Sequence, residues 1–186
     1  MTNSTPHDPT TDISLHQLVY APHIALDTKV QPFLSGDGGY RQAVSNHMQA
    51  LCRSHNAHGM AANQIALDAA VFVTHIQQDM VTMFNPEILE ISDDKVLMNE
   101  GCLSDPGLYL KIKRPDMILA SWEDEMGERS QATLVDMDCR IFLHEMDHLQ
   151  GIMFSDRAGV TKLKMGRTKQ RKLMNRAAER IINSMK

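Results

Sequence analysis

An α+β fold is the expectation for this chain, and the order of its segments supports it. Apolar, β-branched stretches gather in the middle: AAVFVTHI (69–76), VTMFNPEIL (81–89) and YLKIKRPDMILASWED (109–124). Stretches with helical spacing lie toward the two ends: YRQAVSNHMQALCRSH (40–55), RIFLHEMDHLQG (140–151) and a long segment from Thr161 to Met185. Strands and helices therefore fall in runs rather than in strict alternation, the pattern of α+β proteins. With 186 residues, 42% hydrophobic and 23% charged, the chain suits one domain with an adequate core, and a wholly disordered chain is excluded.

Residues 1–14 are polar, carry two prolines and are expected to form a disordered tail, leaving 15–186 as a single domain. LVYAPH (18–23) reads as a short extended piece, and GDGG (36–39) as a turn. Val44, Met48, Leu51 and Cys52 then repeat along one helical stripe. Segment 69–76 reads as a strand. Segment 81–89 reads as a strand followed by a turn, with Asn85-Pro86 as the breaker. The alternation in 109–124, interrupted by one proline, predicts strands of a sheet. Segment 140–151 has helical spacing and ends on Gly151, a helix stop signal. In the last helix Met174, Ala177, Ala178, Ile181 and Met185 form the apolar stripe. No internal repeat and no linker divides the chain.

Several function classes drop out. No apolar run approaches the ~18 residues of a membrane span. The first residues lack a basic start and an apolar stretch, so a secretory signal is not expected; acidic residues without arginine argue against a transit peptide. Three cysteines do not make a disulfide framework, which points to a reducing, cytoplasmic setting. The net charge of −4 is unevenly spread: Arg157 to Lys186 hold ten Lys or Arg and one acidic residue. That basic end suits a polyanionic partner or a solvated helix face, and charge alone does not choose.

HEMDH (144–148) carries the chemistry. Histidines at i and i+4 project from one helix face, about 6 Å apart along the axis, so both imidazoles can reach one divalent metal. Glu145 between them can handle the protons of a water at such a metal. The pattern is short and also arises by chance on surface helices. A metal hydrolase usually has a third protein ligand. A histidine six residues after the second would serve, but that position is Phe154. Cys102, in the turn-like NEGCLSDPG, is the upstream candidate, whereas Cys52 and Cys139 lie in apolar or helical patterns and read as small buried hydrophobes.

EGCLS (100–104) and HEMDHLQG (144–151) resemble the second and third signature motifs of peptide deformylases. The first family motif, GxGLAAxQ, is matched by AHGMAANQ (57–64), with Gly59, Ala61, Ala62 and Gln64 in place. The motifs stand in family order, FNPEIL and KRPDMI agree as flanks, and the resemblance spans residues 15–183. Three positions depart from it: Ala57 replaces the first glycine, Asp105 stands where Val or Ile is usual, and Leu143 where Gln is usual. Ala57 and His58 bear on peptide preference, and Leu143 on a hydrogen bond of the ligand helix.

The resemblance implies sheets, antiparallel or mixed, packed around the central HExxH helix, with a C-terminal helix. It implies a metallohydrolase that removes the formyl group from N-formylmethionine of nascent polypeptides. Cys102, His144 and His148 would hold one divalent ion, Fe²⁺ first and Zn²⁺ as the alternative. Glu145 would move protons, and the Gln64 side chain and the Leu103 backbone N–H would bind the oxyanion. Leu103, Ile141 and Met137 are candidates for the methionine pocket, with plain core packing an equal reading for Met137. Gly59, His58 and Gly101 are candidates for the peptide groove, and Glu100 and Arg114 for orienting the ligands from behind. The basic helix (161–185) would suit the ribosome; no membrane or DNA partner is expected. Two other readings stand beside this one: an HExxH peptidase, against which Cys102 and Phe154 argue, and a binding protein without turnover, against which the intact set Gln64, Cys102, His144, Glu145 and His148 argues.

Overall fold

The computed structural model describes residues 12–34 and 38–184. Strands β1 (Gly59–Ala61), β2 (Val71–Ile76), β3 (Asp79–Ile91), β6 (Met117–Glu123) and β7 (Arg129–Val135) form an antiparallel sheet in the order β1-β2-β3-β6-β7. Strands β4 (Lys95–Cys102) and β5 (Asp105–Pro115) pair as a separate antiparallel ribbon. Helices α1 (Gly38–Ser54), α2 (Asp136–Leu149) and α3 (Val160–Ser184) complete the α+β framework.

Strand β2 shows why the sheet sits in the middle. Its side chains alternate between faces, and both faces are apolar. Val71 and Val73 pack with Val44, Met48 and Cys52 of α1, while Phe72 packs with Phe142 and Leu143 of α2. A third cluster, Leu108, Leu110, Ile112 and Phe154, lies between β5 and the start of α3. Helix α2 is thus held by the sheet on one side and faces the ribbon on the other. Cys52 and Cys139 are fully buried, as their patterns predict.

The structure corrects several expectations. Of the tail 1–14, residues 1–11 lie outside the described residues, and Ile13–Leu15 form a 3-10 turn whose Asp12 carboxylate accepts from the Ser14 N–H at 3.0 Å. Of GDGG, Gly36 and Asp37 lie outside the described residues, and Gly38 and Gly39 already belong to α1. LVYAPH, expected as an extended piece, joins no sheet among the described residues and is strapped down by Val19 N–H to the Gln64 carbonyl and Ala21 N–H to the Ser104 carbonyl, both at 2.8 Å. Asn85-Pro86 does not end β3. Asn85 has φ +45° and the register to β6 slips between Phe84 and Glu87, so a bulge absorbs the proline. The Asn85 amide meanwhile pairs with the Phe33 backbone, accepting at 2.8 Å and donating at 3.0 Å. Helix α2 starts earlier than expected, at Asp136, and Gly151 follows its end with φ +70°.

The stripe expected on the last helix is not buried. Met174, Ala177, Ala178 and Ile181 are exposed, and Met185 lies outside the described residues. Helix α3 docks on β5 through its first half instead. A Cβ on Gly166 would stand 2.6 Å from Leu110 Cδ2, so the missing side chain lets the helix approach the ribbon.

Candidate active site

The ribbon and helix α2 meet at Cys102. The last residue of β4 brings its thiol to the face of α2 that carries His144 and His148, and ligand atoms of the three residues lie within 4.8 Å of one another. Cys102 Sγ is 3.2 Å from His148 Nε2. The imidazoles sit one turn apart, with ring centroids 5.0 Å apart. Glu100 accepts from Arg114 Nε at 2.7 Å and Nη2 at 2.9 Å, and from Arg140 Nη1 at 2.7 Å. Burial opposes its charge, but bonds from Arg114, His144 and Arg140 prevail and hold the carboxyl well below the usual range. An ionised Glu100 can only accept, so His144 Nδ1, 3.1 Å away, is the donor, and Nε2 is the nitrogen that would face a metal.

A divalent metal fits these residues. One thiol and two imidazoles converge, and His148 turns its Nε2 to the Cys102 thiol. Burial, with His144 beside it, pushes His148 well below its ordinary value, toward the neutral form a ligand needs. Burial also opposes charge on His144, yet its bonds to Cys102 and Glu100 outweigh this and raise it to about 10. That corner of the site calls for positive charge, which a cation satisfies as well as a proton does. Glu145 is buried, its Oε2 has no partner among the described residues, and burial lifts its carboxyl to about 7 against the opposing pull of His144 and Arg114.

A cavity of about 470 Å³ opens beside this cluster. Every predicted substrate contact lines it: His58, Gly59, Gly101, Met137 and Ile141, together with Gln64, Leu103 and Glu145. Gln64 sits in the 3-10 turn Ala62–Ile65, where its Oε1 accepts from the Ala61 N–H at 2.9 Å. That leaves Nε2 to donate to Cys102 Sγ at 3.3 Å and to Ser104 Oγ at 3.1 Å. Arg114 stands behind the ligands, joining Glu100 to Asp147 through Nη1 at 2.6 Å.

Sequence reasoning missed Arg140, Asp147, Arg157 and Asn63. Arg157 Nε donates to Asp147 at 3.0 Å, and the Asn63 side chain donates to the His148 carbonyl. Arg140 and Asp147 stand four residues before and three after His144, charged positions on one face of an apolar helix, and that was the available signal. The three departures are also accommodated. Ala57 lines the cavity and its N–H bonds the Cys52 carbonyl at 3.0 Å. Leu143 packs in the core while its carbonyl accepts from Arg114 Nη1 at 3.3 Å, so the ligand helix is tied through main chain. Asp105 is buried and accepts from Arg167 and Gln170 of α3.

Two predictions arise here. A Cβ on Gly59 would stand 2.7 Å from Glu145 Oε1 and 2.8 Å from Ile141 Cγ2. Gly59→Ala is therefore expected to displace Glu145, cost ~1–3 kcal/mol in unfolding free energy and lower kcat; unchanged kcat would show that the contact relaxes elsewhere. Burial pushes the Cys52 thiol up to about 12 and the Cys139 thiol to about 11. Iodoacetamide should accordingly modify native, metal-stripped protein at Cys102 and spare the other two, as read by peptide mass spectrometry.

The class this framework fits is that of metal-dependent hydrolases: a buried carboxylate stands beside one thiol and two imidazoles that could hold a metal. Comparison with known proteins is more specific. The model of the polypeptide deformylase family matches residues 15–164. A peptide deformylase of Syntrophomonas wolfei is 30% identical over 151 residues, covering 81% of this chain and 98% of that protein. The crystal structure of a peptide deformylase from Synechococcus elongatus in complex with actinonin superposes with a TM-score of 0.77 at 27% identity, covering 91% of this chain and 89% of that one. A Met-Ala-Ser-bound class I type b peptide deformylase from Acinetobacter baumannii gives 0.72 at 27% identity, covering 77% and 98%. The chain belongs to the polypeptide deformylase family, metallohydrolases that remove the N-formyl group from nascent polypeptides.

Proposed function

We propose that Cys102, His144 and His148 hold one divalent metal and that Glu145 carries the protons as formylmethionine is deformylated. The observation that carries this reading is the convergence of the three ligand atoms, within 4.8 Å of one another, beside a buried Glu145 with a free oxygen. When bound, the metal supplies a Lewis acid that makes water nucleophilic near neutral pH. Glu145, its carboxyl lifted to about 7, is matched to taking a proton from water and delivering it to the leaving amine. Gln64 Nε2 and the Leu103 N–H donate to the oxyanion that develops on the formyl oxygen; removing one such donor typically costs ~2.7–4 kcal/mol in the barrier. Met137, Ile141 and Leu103 offer apolar surface to the methionine side chain, and the peptide runs past His58, Gly59 and Gly101. The Met-Ala-Ser complex of the Acinetobacter relative supports a peptide in this groove.

The proposed ion is Fe²⁺, with Zn²⁺ the alternative, because a mixed thiolate and imidazole set suits both. No helix among the described residues is long and apolar enough to cross a membrane, and we place the protein in the cytoplasm, where nascent chains arise. Helix α3 leaves Lys169, Lys172 and Arg176 exposed, which supports the ribosome as partner. Replacing these three with glutamate should abolish cosedimentation with ribosomes at low salt; unaltered cosedimentation would remove the ribosome from the reading. The test of the main proposal is formate release from a formyl-Met peptide by anaerobically prepared, Fe²⁺-loaded protein. Turnover is expected, and peptide-bond cleavage without formate would favour a peptidase.

A further inference from the structure

Asp105 lies three residues after Cys102, and the two are paired across the tip of the ribbon. The residue is 4% exposed. Oδ1 accepts from Arg167 Nη1 at 2.7 Å and from Gln170 Nε2 at 2.8 Å, both on α3. Gln170 Nε2 also donates to the Pro106 carbonyl at 2.8 Å, and Arg167 Nη1 donates to Gln170 Oε1 at 3.0 Å, so the two helix residues act together. Among the described residues Oδ2 has no partner, and the hydrogen bonds that hold this buried carboxylate come from α3. Pro106 and Gly107, gripped by this arrangement, line the cavity beside the cluster. On the opposite side Gln64 donates to Ser104, and the Ser104 carbonyl accepts from the Ala21 N–H.

We propose that Asp105, Arg167 and Gln170 form a latch through which helix α3 positions the Cys102–Gly107 turn, and with it the ligand thiol and one wall of the substrate cavity. Arg167 and Gln170 are positioning residues: neither belongs to the cluster or lines the cavity itself, and they act through Asp105 and Pro106. A buried carboxylate needs its donors, because an unpaired one in a dry site is strongly disfavoured. Loss of either donor frees the turn to move away from the cavity. The deformylase reading enters only through the kinetic part of the test.

Arg167→Met and Gln170→Leu are compared with Thr168→Ala, an exposed neighbour whose hydroxyl bonds only the Lys164 carbonyl of its own helix. Asp105→Asn keeps an accepting oxygen for both donors. Two quantities are read below the onset of unfolding of each protein: the alkylation rate of Cys102 in metal-stripped protein, and KM and kcat for a formyl-Met peptide in metal-loaded protein. Arg167→Met and Gln170→Leu should each raise the alkylation rate and KM roughly tenfold, the scale of one lost bond to a charged group, and leave kcat near the parent value. Asp105→Asn should fall between these variants and the parent, and Thr168→Ala should match the parent. Unchanged alkylation and KM in both latch variants would overturn the proposal, as would equal changes in Thr168→Ala. A parent that releases no formate would sink the deformylase reading and leave the alkylation test in force.

Discussion

Glu145→Gln is expected to lower formate release by ~10²–10⁴-fold, the usual worth of a positioned acid–base group, while metal content stays that of the parent. The proposed ligand atoms, those of Cys102, His144 and His148, are untouched by this change. The same substitution should make the metal-free protein more stable at neutral and alkaline pH. Burial raises the Glu145 carboxyl from 4.5 to about 7 on folding. Above 7 the folded state carries a buried carboxylate that the unfolded chain solvates, and the penalty is fully present. It fades as pH falls and is gone below 4.5. Glutamine never carries that charge, so the variant should gain ~3 kcal/mol above pH 7 and nothing near pH 4. Urea unfolding of chelator-treated proteins between these limits measures the difference. A difference that does not vary with pH would refute burial as the origin of the raised value.

Glu100→Gln should be the most damaging change outside the ligands. It leaves Arg114 and Arg140 buried without their shared anion, and removing one partner of such a network costs ~3–5 kcal/mol. It also removes the acceptor that fixes the His144 tautomer, and losses of this kind weaken metal affinity ~10–100-fold. The sign with pH is opposite to that of Glu145. The Glu100 carboxyl is lowered on folding, so its stabilisation is complete above the ordinary value of 4.5 and is lost as pH falls below it. The parent should therefore show a steep acid limb in thermal unfolding, and the glutamine variant a shallower one. Equal limbs would assign acid sensitivity to other carboxylates.

These two residues also show what the sequence makes legible. Glu100 and Glu145 stand inside short motifs: the i, i+4 spacing puts His144 and His148 on one helix face, Cys102 stands out by its turn-like setting and the family resemblance, the structure brings the three together, and the α+β class was legible too. Arg140 and Asp147 stand out only as charges on the His144 face of the helix, and Arg157 not at all. Their role depends on how α2 is rotated against the ribbon and on the register that sets Glu100 opposite Leu110 and Arg114 opposite Val96. Asn85-Pro86 misleads for a related reason. As a dipeptide it favours a turn, but a bulge in a long strand satisfies the same torsions. The stripe on α3 fails differently. Periodicity reports that a helix has an apolar side and does not say whether any surface meets it.

From Arg171 to Ser184 every residue of α3 is exposed. An isolated peptide of that length would be a marginal helix in water, because its first turn must form without help. Here the docked turns around Gly166 and Gln170 act as a permanent nucleus, and the outer half has only to propagate from them. Its three Arg, two Ala and single Lys, Leu, Met and Glu are good helix formers suited to that. The helix should fray from its outer end, with amide protection declining stepwise from Gln170 toward Ser184. Warming would then melt the arm turn by turn while the body of the protein stays folded.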